Sequence, residues 1–143
     1  MIRLAFCIAL LASPAAAWEF TPQPICTISH QTDEVDLAVT FDPATAIYEI
    51  RLTLVDRPWP SAPVFAIQFD GPAGLTISTD RHQLSSGNKT LSVTDTGFGN
   101  VLNGLGLNRS ATLLLGDRTV GVALDGAADP VEEFRSCARG LAA

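Results

Sequence analysis

The chain has 143 residues, 47% of them hydrophobic, and its 9 Lys and Arg side chains against 15 Asp and Glu give a formal net charge of −6 at pH 7. A chain of this length and composition can bury a core as one domain. Its acidic balance, with the basic residues scattered, argues against nucleic acid and anionic membrane surfaces as partners.

Residues 1–17 have the features of a secretory signal peptide. A basic residue precedes an apolar run over residues 4–12, and three consecutive alanines ending at Ala17 form a small-residue cleavage site. The segment is too short, and wrongly flanked, for a transmembrane helix. Cleavage after Ala17 leaves Trp18 at the start of a single β-rich domain, residues 18–143, in which no apolar stretch is long enough to span a bilayer. We therefore expect a periplasmic or secreted protein.

The body of the chain alternates apolar and polar residues with a period of two, which is typical of half-buried antiparallel strands. The apolar members of these runs are Val35, Leu37, Val39 and Phe41; Tyr48, Ile50, Leu52 and Leu54; Phe65, Ile67 and Phe69; Leu75 and Ile77; Leu91 and Val93; Val120, Val122 and Leu124. Residues 25–30 predict a further strand, and turn residues such as Gly116-Asp117 separate the runs. The short spacing between strands favours an antiparallel β-sandwich or barrel over βαβ units.

The segment 125–141 predicts a C-terminal α-helix packed on a sheet. Asp129 is the expected N-cap, Pro130 suits the first helical position and Glu132 completes a capping box. The apolar side chains at helical spacing form the face expected to pack on the sheet, and they are Val131, Phe134, Ala138 and Leu141.

A second, short helix is predicted over residues 97–104. Phe98, Val101 and Leu102 recur there at helical spacing, and Asp95 or Thr96 is the expected cap. The glycines of this stretch match neither a dinucleotide-binding fingerprint nor a P-loop, so they predict no phosphate site.

Two cysteines remain after removal of the leader, which contains Cys7. Cys26 and Cys137 lie near opposite ends of the mature chain. Because an exported protein folds in an oxidising compartment, we expect them to form a disulfide that ties the helix to the first strand. A free-thiol nucleophile is the alternative interpretation of the same residues.

The residue types that carry most hydrolytic and metal chemistry are few. His30 and His82 are the only histidines, and no His-x-x-x-His, Cys-x-x-Cys or Gly-x-Ser-x-Gly spacing is present. The sequence therefore predicts no cofactor, no metal and no assigned catalytic residue, and we expect the two histidines to occupy separate sites.

Trp59 lies among three prolines in residues 56–63, which predict an extended surface connection. An exposed Trp59 would be a binding anchor. In the competing interpretation its side chain folds over an open end of the sheet, as large apolar side chains usually do.

Arg109 conflicts with the strand pattern around it. If residues 105–115 form one strand, Arg109 falls on the apolar face, where an isolated guanidinium is very costly. Either a bulge or break near residues 108–110 turns it to solvent, or it stays inward and pairs with a carboxylate such as Asp95. The second arrangement would create an anion-recognising site.

The order of motifs along the chain resembles that of small exported proteins of Gram-negative bacteria. The motifs are the leader, W-E-F, Cys26, the alternating strands, FAIQFDG, ISTDRH, GFGNVL and V-E-E-F-R-S-C. The same layout is more distantly similar to the invasion-associated locus B family of periplasmic β-proteins. This resemblance implies a disulfide-tied β-sandwich in the periplasm and brings no established activity with it.

These observations predict a non-catalytic interaction or binding module of the periplasm or envelope. Its partner would be a protein or a small ligand, and the candidate binding residues are Arg109, Asp95, Trp59 and His82. The alternative is a small periplasmic hydrolase or metal-binding protein that uses His30 or His82. The two differ in whether the histidines converge with carboxylates in a concave pocket.

Overall fold

The computed structural model describes residues 17–142, so the predicted leader lies outside the described residues except for Ala17. Within this range the chain forms two antiparallel sheets, a C-terminal helix and a second short helix. The sheets stack as a sandwich and do not close into a barrel. This confirms the predicted β-rich fold class and decides between its two architectures. No helix in the described part of the chain is both long and apolar enough to cross a membrane.

The first sheet has the strand order β1-β2-β3-β4-β8-β7. Its strands are β1 Glu19–Thr21, β2 Cys26–Gln31, β3 Val35–Asp42, β4 Ile47–Leu54, β7 Gln83–Ser85 and β8 Thr90–Asp95. The second sheet has the order β10-β9-β5-β6, and its strands are β5 Phe65–Asp70, β6 Leu75–Thr79, β9 Ser110–Leu115 and β10 Arg118–Ala123. The helices are α1 Gly99–Leu107 and α2 Ala128–Ala142.

The inward faces of the strands are the faces that the alternation predicts. In β3, Val35, Leu37, Val39 and Phe41 are buried, and the residues between them are exposed or half-buried. The apolar face extends from β3 to β4, because Val39 of β3 lies opposite Ile50 of β4. The core between the sheets is therefore built from one face of each strand.

The predicted tight turn at Gly116-Asp117 is confirmed. It joins β9 to β10 so that Leu115 and Arg118 are paired across the strands. Gly116 has a φ of 56°, a left-handed conformation that glycine adopts without steric cost.

Two strands were not predicted, β1 and β7. Each has three residues, which is too short for an alternation to be recognised. β1 leads out of Trp18, whose side chain is buried. Its indole N–H donates a hydrogen bond to the Ala123 carbonyl at 3.1 Å, so the side chain joins the edge of the first sheet to β10.

The predicted C-terminal helix is present, but its start was predicted incorrectly. The helix begins at Ala128, so Asp129 lies inside the first turn instead of at the N-cap. Ala127 precedes the helix, is fully buried, and accepts the N–H of Val131 at 3.0 Å. Ala127 thus occupies the N-cap position, while Asp129 still places negative charge at the positive end of the helix dipole.

The predicted disulfide is present and confirms how α2 is attached. Cys26 of β2 and Cys137 of α2 are bonded, with their Cα atoms 6.0 Å apart. On the same helix, Val131, Phe134 and Ala138 are buried in the core. The helix is thus held to the sandwich by a covalent link and by its apolar face.

Candidate functional site

A cleft of about 450 Å³ opens between the two sheets at one edge of the sandwich. β6 is the last strand of the second sheet, and β7 and β8 end the first. β7 pairs only with residues 90–92 of β8, so Val93, Thr94 and Asp95 have no neighbouring strand on their outer side. The short length of β7 leaves the space between the sheets open at this point.

The floor of the cleft is apolar and comes from both sheets. The first sheet contributes the cross-strand pair Ile50 and Val93, and the second contributes Ile67 and Ile77. The remaining apolar lining residues are Phe65, Phe98 and Val101. The volume lies within the range of about 300–1,000 Å³ that is typical of small-molecule sites.

The rim of the cleft is polar, and most of its polar side chains lie at the end of β6, at the end of β8 and at the start of α1. Residues 80–82 cross from β6 to β7, and residues 96–98 lead from β8 into α1. The polar lining residues are Ser78, Thr79, Arg81, Thr94, Asp95 and Asn100. A mostly apolar interior with a few polar groups at the mouth is the usual design of a ligand pocket.

The two charged rim residues, Arg81 and Asp95, have different local environments. The backbone N–H of Arg81 donates to Thr79 Oγ1 at 3.0 Å, which fixes the bend after β6, and the Arg81 side chain is exposed. Asp95 Oδ1 accepts the backbone N–H of Thr96 at 2.6 Å. Asp95 thus stabilises its own turn, whereas the Arg81 side chain extends into solvent at the mouth.

Helix α1 forms one wall of the cleft, and it is longer and differently capped than predicted. It runs to Leu107, three residues beyond the predicted end, and Phe98 occupies the N-cap position without a side-chain hydrogen bond. The predicted caps, Asp95 and Thr96, bond to each other instead. At the other end Asn108 Nδ2 donates to the carbonyls of Ala73 and Gly104, at 3.1 and 3.0 Å. This side chain anchors α1 to the turn before β6.

Arg109 lies away from the cleft, and of its two predicted positions the inward one is not observed. Because α1 continues to Leu107 and β9 starts at Ser110, residues 105–115 are not one strand. Arg109 lies exposed in the bend between these elements. The break near residues 108–110 that would turn it to solvent is confirmed. Within the described residues it forms no ion pair with Asp95, so no anion site forms at this pair.

Trp59 is buried, with 1% of its surface exposed, so its interpretation as an exposed anchor is wrong. Its indole N–H donates to the Leu52 carbonyl at 3.1 Å. Its ring meets that of Phe65 edge-on, with the centroids 6.3 Å apart. The competing interpretation, in which the side chain folds inward, is the one observed. Trp59 therefore supports a wall of the cleft from behind.

His82 packs behind the same wall. Its Nε2 lies 3.0 Å from the Ala62 carbonyl oxygen, and since a carbonyl only accepts, Nε2 is the protonated nitrogen in this contact. Its ring centroid is 6.4 Å from that of Phe65. His82 does not line the cleft, so its contribution to the site is structural.

His30 lies at the opposite edge of the sandwich. It is buried in β2 and stacks on Trp18, with ring centroids 4.3 Å apart and planes inclined by 9°. Its ring therefore contacts neither His82 nor the cleft. Between residues 17 and 142, no three His, Cys, Asp or Glu side chains form a group that could hold a metal ion.

A shallower depression lies beside the disulfide. It is lined by Phe20, Pro22, Glu132, Glu133, Ser136 and Cys137 and is open to solvent along most of its surface. Two carboxylates and a flat apolar floor offer a ligand little enclosure, so the cleft is the stronger candidate.

Asp95 lies at the rim, although it was predicted as a partner of Arg109, and Arg81 was not predicted as a rim residue. Arg81 lies between Asp80 and His82, and a single arginine in such a stretch has no spacing that indicates a site. Ile77 and Val93 carry ordinary strand periodicity, which cannot distinguish a cleft floor from a closed core.

No protein-family model matches the chain, and neither does any curated protein or solved structure. The geometry of the cleft is therefore the basis for proposing a function.

Proposed function

We propose that this protein is a non-catalytic binding module of the periplasm or cell envelope and that the cleft between β6 and β8 holds a small ligand. The observation that carries the proposal is the combination of an apolar floor from both sheets with a polar rim in a cavity of about 450 Å³. A ligand that covers the floor removes apolar surface from water, at roughly 25 cal/mol for each Å².

The walls support this proposal because paired strands hold the residues of the floor in place. Ile50, Val93, Ile67 and Ile77 lie on paired strands, and Trp59 packs behind Phe65. A preformed site loses little conformational entropy when it binds, so more of the contact energy is available as affinity.

The rim chemistry supports binding over catalysis. Its side chains are hydroxyls, one amide and two opposite charges, all suited to hydrogen bonding with a ligand. Neither histidine contributes to the cleft lining that the structure describes. The alternative, a hydrolase or metal protein that uses His30 or His82, is therefore less well supported by the geometry.

The exported location is part of the proposal. The disulfide between Cys26 and Cys137 is compatible with an oxidising compartment. The signal-peptide features of residues 1–17 point to the same location.

The test uses phenylnaphthylamine, a neutral apolar dye whose fluorescence increases when it leaves water. We expect saturable binding to the wild-type protein. Val93→Trp fills the floor and should weaken binding by at least about tenfold. Thr94→Trp places the same side chain at an exposed rim position, where it blocks the mouth without entering the core. This variant replaces Val93→Trp in the test if Val93→Trp folds poorly.

Val55→Trp is the matched control. Val55 is 55% exposed and lies outside the cleft lining, so it adds the same side chain elsewhere. Equal dye binding in the wild type and in all three variants, with unchanged melting temperatures, would rule out the cleft as the site.

A further inference from the structure

We infer that the ligand of the cleft is an amphiphile with an apolar body and a single carboxylate, and that Arg81 binds the carboxylate. This inference rests on the proposed function, because it assumes that the cleft is occupied. It adds a chemical class and names the residue that selects it.

The apolar body follows from the size and lining of the cavity. An apolar cavity of about 150 Å³ accepts benzene, so a volume three times larger has room for roughly a dozen to eighteen non-hydrogen atoms. The floor of Ile50, Val93, Ile67 and Ile77 offers such a ligand only aliphatic contacts. Polar atoms can be accommodated at the mouth alone.

The anionic end follows from the charge balance at the mouth. Three ion pairs form within residues 17–142, and they use Arg51, Arg118 and Arg135. Arg81 takes part in none of them, although it lines the cleft. A planar guanidinium with no carboxylate partner is suited to bidentate binding of a carboxylate.

Asp95 forms no ion pair with Arg81 within the described residues, and its carboxylate is held by its own turn. Its Oδ1 accepts the N–H of Thr96 at 2.6 Å and lies 3.4 Å from Thr96 Oγ1. The neighbouring rim groups, the hydroxyls of Ser78 and Thr79 and the amide of Asn100, can all donate to a ligand carboxylate. The negative charge of Asp95 still disfavours an anion, which gives a second way to test the inference.

The experiment compares decanoate with decanol, its neutral counterpart, by isothermal titration calorimetry at low ionic strength. In Arg81→Gln the affinity for decanoate should fall by about three- to tenfold while that for decanol stays the same. Asp95→Asn should strengthen decanoate binding and leave decanol unaffected. Arg109→Gln is the control, since it removes an exposed arginine that lies outside the cleft.

The outcomes separate the two proposals. If decanol and decanoate both bind the wild type and Arg81→Gln weakens neither, the head-group inference is wrong while the cleft remains a ligand site. If neither compound binds and phenylnaphthylamine does not bind either, the proposed function itself fails. An equal loss of decanoate affinity in Arg81→Gln and Arg109→Gln would show that the loss depends only on the net charge of the protein. This result would also overturn the inference.

Discussion

Phe69 of β5 and Gly104 of α1 are in direct contact, and the Phe69 ring occupies the space that a Cβ at residue 104 would need. This contact fixes how closely α1, a wall of the cleft, approaches the second sheet. Gly104→Ala must displace the ring or lift the helix. We expect a loss of about 1–3 kcal/mol in the free energy of unfolding, as for other overpacked cores, despite the better helix propensity of Ala.

Gly99→Ala is the control for this prediction, to be compared by urea denaturation. Gly99 belongs to the same helix, and a Cβ there meets nothing within 4 Å. Its stability should be unchanged or slightly higher. If both substitutions have the same effect, close packing at Gly104 is not what limits the position of the helix.

The disulfide should account for a large share of the stability. Cys26 and Cys137 are 111 positions apart, and closing a loop of about this length contributes roughly 5 kcal/mol on the chain-entropy model. Reduction should therefore lower the midpoint of guanidinium denaturation strongly. The double variant Cys26→Ala, Cys137→Ala should match the reduced protein and not respond to reductant. A midpoint that reduction leaves unchanged would contradict this account.

Trp59 should behave as a core residue and not as a binding anchor. Trp59→Phe keeps a ring against Phe65 but removes the indole hydrogen bond to the Leu52 carbonyl and part of the buried ring, at an expected cost of about 1–3 kcal/mol. Trp59→Ala should cost about 3–5 kcal/mol. Thermal denaturation of both variants checks the order. Near-wild-type stability of Trp59→Ala would indicate that the side chain spends its time in solvent.

Asp56 should make the stability depend on pH. The backbone N–H of Arg57 is the main cause that holds the pKa of Asp56 below its ordinary value, and the positive charge of Arg118 adds to it. Arg118 Nη2 donates to Asp56 Oδ1 at 3.1 Å. Because the folded pKa is the lower one, the stabilisation is fully present above the unfolded pKa and is lost as pH falls through the folded pKa.

Asp56→Asn should therefore lower the melting temperature at neutral pH, and the difference from the wild type should shrink towards acid pH. Asp33→Asn is the matched control, since Asp33 is exposed and forms no ion pair within the described residues. A difference between Asp56→Asn and wild type that is constant with pH would contradict the prediction.

The strands could be predicted because each long strand buries one face. The four apolar residues of β3 and their partners in β4 show this period directly. The assignment of strands to sheets could not be predicted, since β4 pairs with β8 while β5 and β6 lie in the opposite sheet. Such pairing depends on contacts between residues distant in sequence, which a local pattern does not encode.

The predictions that fail at single residues fail for one reason. Contacts between residues distant in sequence override the secondary-structure preference of the local sequence. Asp129 is a good N-cap by type, yet the helix starts at Ala128, directly after the buried Ala127. Arg109 seemed to lie inside a strand because Leu105 and Leu107 continue the period of β9, although both belong to α1. Gly104 and Gly106 lower the helix propensity of α1. The helix forms nevertheless, and the absence of a side chain at Gly104 lets it pack closely against Phe69.

The cleft could not be predicted from the residues that form it. Val93 and Ile77 have the same spacing as residues of a closed core. They line an open cleft because β7 pairs only with residues 90–92 of β8. Residues 93–95 of β8 therefore have no neighbouring strand on their outer side. A three-residue strand has no recognisable period, so the sequence offered no sign of this opening.

The most direct test of the cleft as the ligand site is a decanol titration followed by backbone amide chemical shifts in ¹⁵N-labelled protein. Decanol is neutral, so the result does not depend on Arg81. We predict that the largest changes occur at Ile77, Val93 and Val101, and that β2 and β3 change little. Changes clustered at Phe20 and Cys137, or scattered over the outer faces of the sheets, would contradict the central claim.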